Sequence, residues 1–119
     1  MSDGNPVDPE ALDRLREWGG DQLVGQMIRL FLENSETRME QIRAGLEKDD
    51  ADEAGKGAHS LKSSAANVGA HTVRALAAAM EQQAGEGNLA SMKTALPALE
   101  EAFRAARDEL ENLERGLTG

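Results

Sequence analysis

His59, Lys62 and the small residues around them are the part of this chain best suited to chemistry. They stand in Ala58-His59-Ser60-Leu61-Lys62-Ser63-Ser64-Ala65-Ala66-Asn67-Val68-Gly69-Ala70, a run with helical spacing. An apolar stripe through Ala54, Ala58, Leu61, Ala65 and Val68 sets the core direction. At about 100° per residue, His59 then lies roughly 130° from the centre of that stripe and projects into solvent. Its own face carries little bulk, with Gly55 one turn before, Ser63 one turn after and Ala66 two turns after. Lys62 stands beside it at i+3 and Lys56 at i−3. An interior helical glycine costs about 1 kcal/mol relative to alanine, so Gly55 and Gly57 so near the histidine call for an offsetting role. A bare face would let another protein's active site close over the ring. Neutral imidazole is a nucleophile near neutral pH, and Lys62 could neutralise a phosphoryl group placed on it. Spacing alone keeps a plainer reading open, because solvent-facing histidines beside lysines are common on charged helices.

Other candidate constellations carry less. His71 also faces away from its apolar stripe and has Arg74 at i+3, but it sits in a first helical turn and reads as ordinary surface. The carboxylates Asp49, Asp50, Asp52, Glu53, Glu100 and Glu101 lack the Glu-x-x-His pairs of a di-metal bundle and read as caps and solvated faces, so no metal site is expected. Gly85-Glu86-Gly87 is a turn, not a phosphate-binding loop, and no ATP-driven kinase activity is expected of this chain. Met27, Met80 and Met92 fall on core stripes and need no cofactor to explain them.

The elements that position His59 follow from the punctuation of the chain. Residues 1–7 read as a disordered lead-in. Asp8 is a plausible N-cap with Pro9 at the first helical position, opening a short helix to about Trp18 that uses Leu12 and Leu15 for packing and ends at Gly19-Gly20. A second helix is expected from Asp21 to about Lys48, with Leu23, Met27, Leu30, Phe31, Asn34, Ile42 and Leu46 near one face and a bend around Arg38. Asp49-Asp50 breaks the chain, and Asp50 with Glu53 resembles a capping box that starts the histidine helix. Gly69 closes that helix. The next shows Val73, Leu76, Ala77, Met80 and Ala84 on one side, and Asn88 caps the last. That last helix has Leu89, Met92, Leu96, Leu99, Phe103, Ala106, Leu110, Leu113 and Leu117 at alternating steps of three and four, with Pro97 expected to kink or interrupt it. Short turns between striped helices predict antiparallel neighbours. The fold class is therefore all-α, an antiparallel up-down-up-down four-helix bundle with a short extra N-terminal helix across one end, forming a single domain over residues 8–117. The last helix has a second possible use as a coiled-coil dimer seam. Packing within one chain is preferred, since the other helices need a partner face.

Composition narrows the partners. The 119 residues carry a net charge of −9, which argues against nucleic acid, whose phosphates need a basic surface. Trp18, Phe31 and Phe103 are the only aromatics, so there is no platform for stacking bases. Basic amphipathic helices, membrane-length apolar runs and a leader-like N-terminus are all lacking, so no membrane association and a cytoplasmic location are expected. Cysteine is absent, which removes disulfide and thiolate chemistry.

The central segment resembles the signature of the histidine-containing phosphotransfer (HPt) domain family, approximately His-x-Leu-Lys-Gly-Ser/Ala-Ala-x-x-(Leu/Val)-Gly. Here it runs His59-Ser60-Leu61-Lys62-Ser63-Ser64-Ala65-Ala66-Asn67-Val68-Gly69, and the similarity extends over roughly residues 8 to 115. The resemblance implies that His59 is the phosphorylated histidine and Lys62 the phosphate-stabilising lysine. Ser63 departs from the frequent glycine at that position but is small enough to keep access. Some relatives place a glutamine or glutamate on the following helix to orient the imidazole through Nδ1; Glu81 is the candidate by position, with Gln82 the fallback. The resemblance further implies a phosphorelay intermediate without an ATP site or cofactor of its own. It would act as a monomer with response-regulator receiver domains, a hybrid histidine kinase or both, with Mg²⁺ belonging to the receiver. Two other readings stand beside it. One is a helical adaptor that binds a receiver without being phosphorylated, for which neither His59 nor Lys62 would be required. The other is the phosphoacceptor bundle of a histidine kinase, which usually has an acidic residue where Ser60 stands.

Overall fold

The first helix opens where local cap chemistry puts it. The computed structural model describes residues 5–118. Asp8 accepts from the Glu10 N–H at 3.0 Å, Pro9 takes the first helical position, and α1 spans Pro9–Glu47. Within it the backbone leaves helical geometry at Gly20 (φ 68°, ψ −166°), a left-handed conformation that favours glycine. The segment before Gly20 is the short N-terminal helix. The break lies there and not at Arg38, where a bend was expected; Arg38 continues the helix.

α1 ends on a residue in the left-handed region, Asp49 (φ 57°), with Asp50 N–H returning to the Gly45 carbonyl at 2.7 Å. Asp50 then caps α2 (Ala51–Asn67) by accepting from Glu53 N–H at 3.0 Å. The box is half-formed, because the Glu53 carboxylate accepts from Gln41 Nε2 on α1 instead of reaching back. Gly69 (φ 74°) closes α2, with Ala70 N–H on the Ala65 carbonyl. α3 covers His71–Gly85, and Gly87 (φ 68°) makes the next turn. Asn88 accepts from Ser91 N–H at the start of α4 (Leu89–Thr118). α4 runs unbroken through Pro97, whose exposed position leaves the Lys93 carbonyl it cannot bond on the solvent side.

Contacts between helices give the direction of each. Gly45 approaches Ala54 and Gly57 approaches Ile42, so α1 and α2 are antiparallel. Gly55 meets Ala84 while His59 and Lys62 meet Glu81, so α2 and α3 are antiparallel. Arg29 pairs with Glu114 and Arg43 with Glu100, which sets α4 antiparallel to α1 and closes the four-helix bundle. Phe31 and Phe103 meet across that closing contact with ring centroids 6.2 Å apart.

The core contains the whole predicted stripe of α2 (Ala54, Ala58, Leu61, Ala65 and Val68), together with Val73, Ala77 and Met80 of α3 and Met92, Leu99, Phe103, Ala106 and Leu110 of α4. Leu113 is the exposed member of the α4 stripe, while Leu117 at its end is partly buried against the core. The predicted face of α1 needs more correction. The buried line is Val24, Ile28, Phe31, Ser35, Met39, Ile42 and Leu46, while Leu30 is 50% exposed and Asn34 also faces solvent. The lead-in expected over residues 1–7 also changes: residues 1–4 lie outside the described residues, but Val7 is buried and Asp8 N–H bonds the Gly69 carbonyl at 2.8 Å. The start of α1 is thereby held on the α2–α3 turn. At the other end of that segment, Trp18 is 84% exposed.

Candidate functional site

A buried alanine-and-leucine stripe on one side of α2 leaves His59 on the opposite side, and its side chain is 62% exposed. Close approach of α3 brings Glu81 to it. That approach depends on Gly55, where an added Cβ would lie 2.6 Å from the Ala84 Cβ, inside any real contact. One turn further along, the Glu81 carboxylate reaches two groups at once. Oε2 lies 2.6 Å from His59 Nδ1, and Oε1 accepts from Lys62 Nζ at 2.6 Å.

The charge state of Glu81 decides the tautomer of the ring. The Lys62 hydrogen bond pulls the carboxyl below the ordinary glutamate range against the opposing effect of burial, and the His59 hydrogen bond adds to the lowering. An ionised carboxylate only accepts, so Nδ1 carries the proton and donates it. In the neutral ring Nε2 then holds the lone pair, and among the described residues it makes no hydrogen bond. The arrangement presents a fixed nucleophilic nitrogen to solvent, with an ammonium one helical turn away.

The residues expected at the site divide into two groups. His59, Lys62 and Glu81 come together; Gln82, the fallback for Glu81, points into solvent. Ser63 and Ala66 are exposed, as a docking face requires, and Ser63 Oγ donates to the His59 carbonyl at a long 3.4 Å. Gly55 does not belong to an open face. It is buried under Ala84, on the floor of an open groove of about 580 Å³ bordered by Asp52, Lys56, His59 and Glu81. Its smallness, like that of Gly57 beneath Ile42, serves helix–helix approach.

Two contacts escaped the sequence reading. Lys62 is already engaged by Glu81, and the spacing of Gly55 and Ala84 as a small–small pair was the available signal for that register. His71 is also more than ordinary surface: its Nε2 lies 3.0 Å from Asp8 Oδ2. That contact, then the Glu10 N–H, holds the Asp8 carboxyl below its usual range. Among the described residues no cluster of three or more His, Cys, Asp or Glu could hold a metal ion, and no helix is long and apolar enough to cross a membrane.

Fold and site together define a helical bundle that offers the His59 imidazole, oriented by Glu81 and flanked by Lys62, to solvent. Two solved structures share the fold. Histidine-containing phosphotransfer protein B from Pseudomonas aeruginosa PAO1 superposes with a TM-score of 0.87 at 24% identity, covering 94% of this chain and 96% of that one. A rice protein assigned as a histidine-containing phosphotransfer protein gives 0.79 at 23% identity, covering 99% of this chain and 87% of that one. Comparison with curated protein sequences gave no match. The Hpt domain family matches residues 26–117, and the chain belongs to that family. Membership gives it a phosphotransfer role in two-component signalling, in which Hpt proteins are phosphoryl carriers that interact with receiver domains and histidine kinases.

Proposed function

We propose that this chain is a phosphorelay intermediate that accepts a phosphoryl group on His59 from the phospho-aspartate of one receiver domain and passes it to another. The observation that carries this reading is the Nδ1–Glu81 contact of 2.6 Å on an exposed side chain whose Nε2 makes no hydrogen bond among the described residues. In the accepting step the Nε2 lone pair attacks phosphorus in line with the aspartyl oxygen. The N–P bond forms as the P–O bond breaks, and the aspartate leaves with the bonding pair. The ring keeps its Nδ1 proton, and Glu81 faces the positive charge the ring gains. Lys62 supplies an ammonium that moves between Glu81 and the incoming phosphoryl oxygens. The reaction needs positioning and charge compensation from this chain more than covalent chemistry of its own. Its Mg²⁺ requirement belongs to the receiver.

Mixing the chain with a phosphorylated receiver should give an acid-labile, base-stable phosphoryl adduct that His59→Gln abolishes. Unchanged labelling of that variant would move the acceptor elsewhere, His71 being the other histidine. Binding to the receiver with no adduct at all would leave the adaptor reading in its place.

A further inference from the structure

We propose that Lys56 is a second cation for the phosphoryl group carried on His59, reaching it across the groove that both residues border. The inference rests on His59 as acceptor and adds to the role of Lys62 without replacing it.

His59 stands at the edge of the open groove of about 580 Å³ that Asp52, Lys56 and Ser60 of α2 share with Glu81 of α3. Helical side chains lean over the turn N-terminal to their own Cα, so the imidazole leans toward the turn that holds Gly55 and Lys56. Gly55 puts no side chain in that space. Residues three apart on a helix are about 5–6 Å apart at Cβ, within the span of a four-carbon lysine stem. Among the described residues that line the groove, Lys56 is the only lysine or arginine.

Charge gives that lysine its task. Lys62 already touches Glu81 at 2.6 Å, so the two cancel before any phosphoryl group arrives. A phosphoryl group brings about two negative charges near neutral pH, more than Lys62 offers, and Glu81 stays beside it. Lys56 is available to answer the remainder. Its ammonium lies 3.4 Å from Asp52, too long for a strong charge-assisted hydrogen bond, and the two side chains are 66% and 83% exposed. Such a pair contributes little, and a phosphoryl dianion is a better partner than one exposed carboxylate. At i−3 and i+3, Lys56 and Lys62 bracket the histidine from successive turns.

The test uses the full chain and phosphoramidate, a small donor that phosphorylates histidine directly. The ring nitrogen bonds phosphorus as the donor's P–N bond breaks and ammonia leaves, so no receiver is needed. A cation on the phosphoryl group favours the dianion, so the titration midpoint of the ³¹P signal reports the contact. Lys56→Gln should raise that midpoint by about half a pH unit, roughly threefold in the proton equilibrium, while Lys56→Arg keeps the parent value. Lys93→Gln, which removes a lysine outside the groove, should leave it unchanged. Circular dichroism confirms that each variant folds. An unchanged midpoint in Lys56→Gln overturns the proposal, as does an equal shift in Lys93→Gln, since the midpoint would then follow net charge alone. Phosphoramidate labelling confined to His71 overturns it too. If His59 is labelled and the midpoint moves as expected but no receiver exchanges phosphoryl with the chain, the relay reading fails and the role of Lys56 stands.

Discussion

Glu81 divides its two oxygens between His59 and Lys62, and that division makes specific demands on its variants. Glu81→Gln keeps an acceptor for Nδ1 but also offers an amide donor, so the ring is no longer confined to one tautomer. Long-range ¹⁵N–¹H spectra should show a single Nδ1–H tautomer for His59 in the parent at neutral pH and a mixture in the variant. Phosphoryl transfer from a receiver should slow by about tenfold. The same carboxylate sets a pH dependence. Its pKa is lowered on folding from the usual 4.5, chiefly by Lys62 and next by His59. Its contribution is therefore present above the unfolded value and disappears as the pH falls through the folded one. Urea midpoints of parent and Glu81→Gln should differ at pH 7 and converge as the pH drops below the ordinary carboxylate range. Facing alone placed His59 correctly in the sequence, because the stripe of α2 is unambiguous. That Lys62 would already be bonded was not legible from α2 alone, since it depends on the register of α2 against α3, which only the pairing of the small residues Gly55 and Ala84 could signal.

Glycines and turn residues govern the elements. An alanine at Gly45 would put its Cβ 2.6 Å from the Ala54 nitrogen, which is backbone and cannot swing aside. Gly45→Ala should lose about 1–3 kcal/mol by overpacking, despite the better helix propensity of alanine. Gly25 is the control: the nearest atom to its added Cβ is Leu117 Cδ1 at 3.8 Å, an ordinary contact. Gly25→Ala should gain up to about 1 kcal/mol in the same urea titration. Asp49 holds a left-handed conformation that glycine adopts without cost. Asp49→Gly should stabilise by up to about 1 kcal/mol, reduced by loss of an exposed Lys93 ion pair. Helix boundaries were readable from sequence because caps are local: Asp8-Pro9, Gly19-Gly20, Asp50, Gly69 and Asn88 all fall where they were expected. The inner face of α1 was not, for a definite reason. Ser35 and Gly45 are polar or small yet buried, while Leu30 is apolar yet half exposed, so a hydrophobic pattern points to the wrong side.

On the scale of the molecule, the family match begins at residue 26, but the folded unit begins earlier. Val7, Ala11 and Leu12 belong to the core, and the start of α1 covers Gly69, whose added Cβ would lie 2.6 Å from that of Ala11. A chain beginning at residue 21 loses the burial of Val7 and Leu12. It should be less stable by roughly 3–6 kcal/mol, read as a lower thermal midpoint by circular dichroism. That segment also carries the single tryptophan, and no tyrosine accompanies it. With Trp18 open to water in the native fold, its emission should sit at long wavelength before denaturation and shift little afterwards. The chain's own fluorophore is thus a poor witness to melting, yet it is well placed to register anything that settles over the N-terminal hinge.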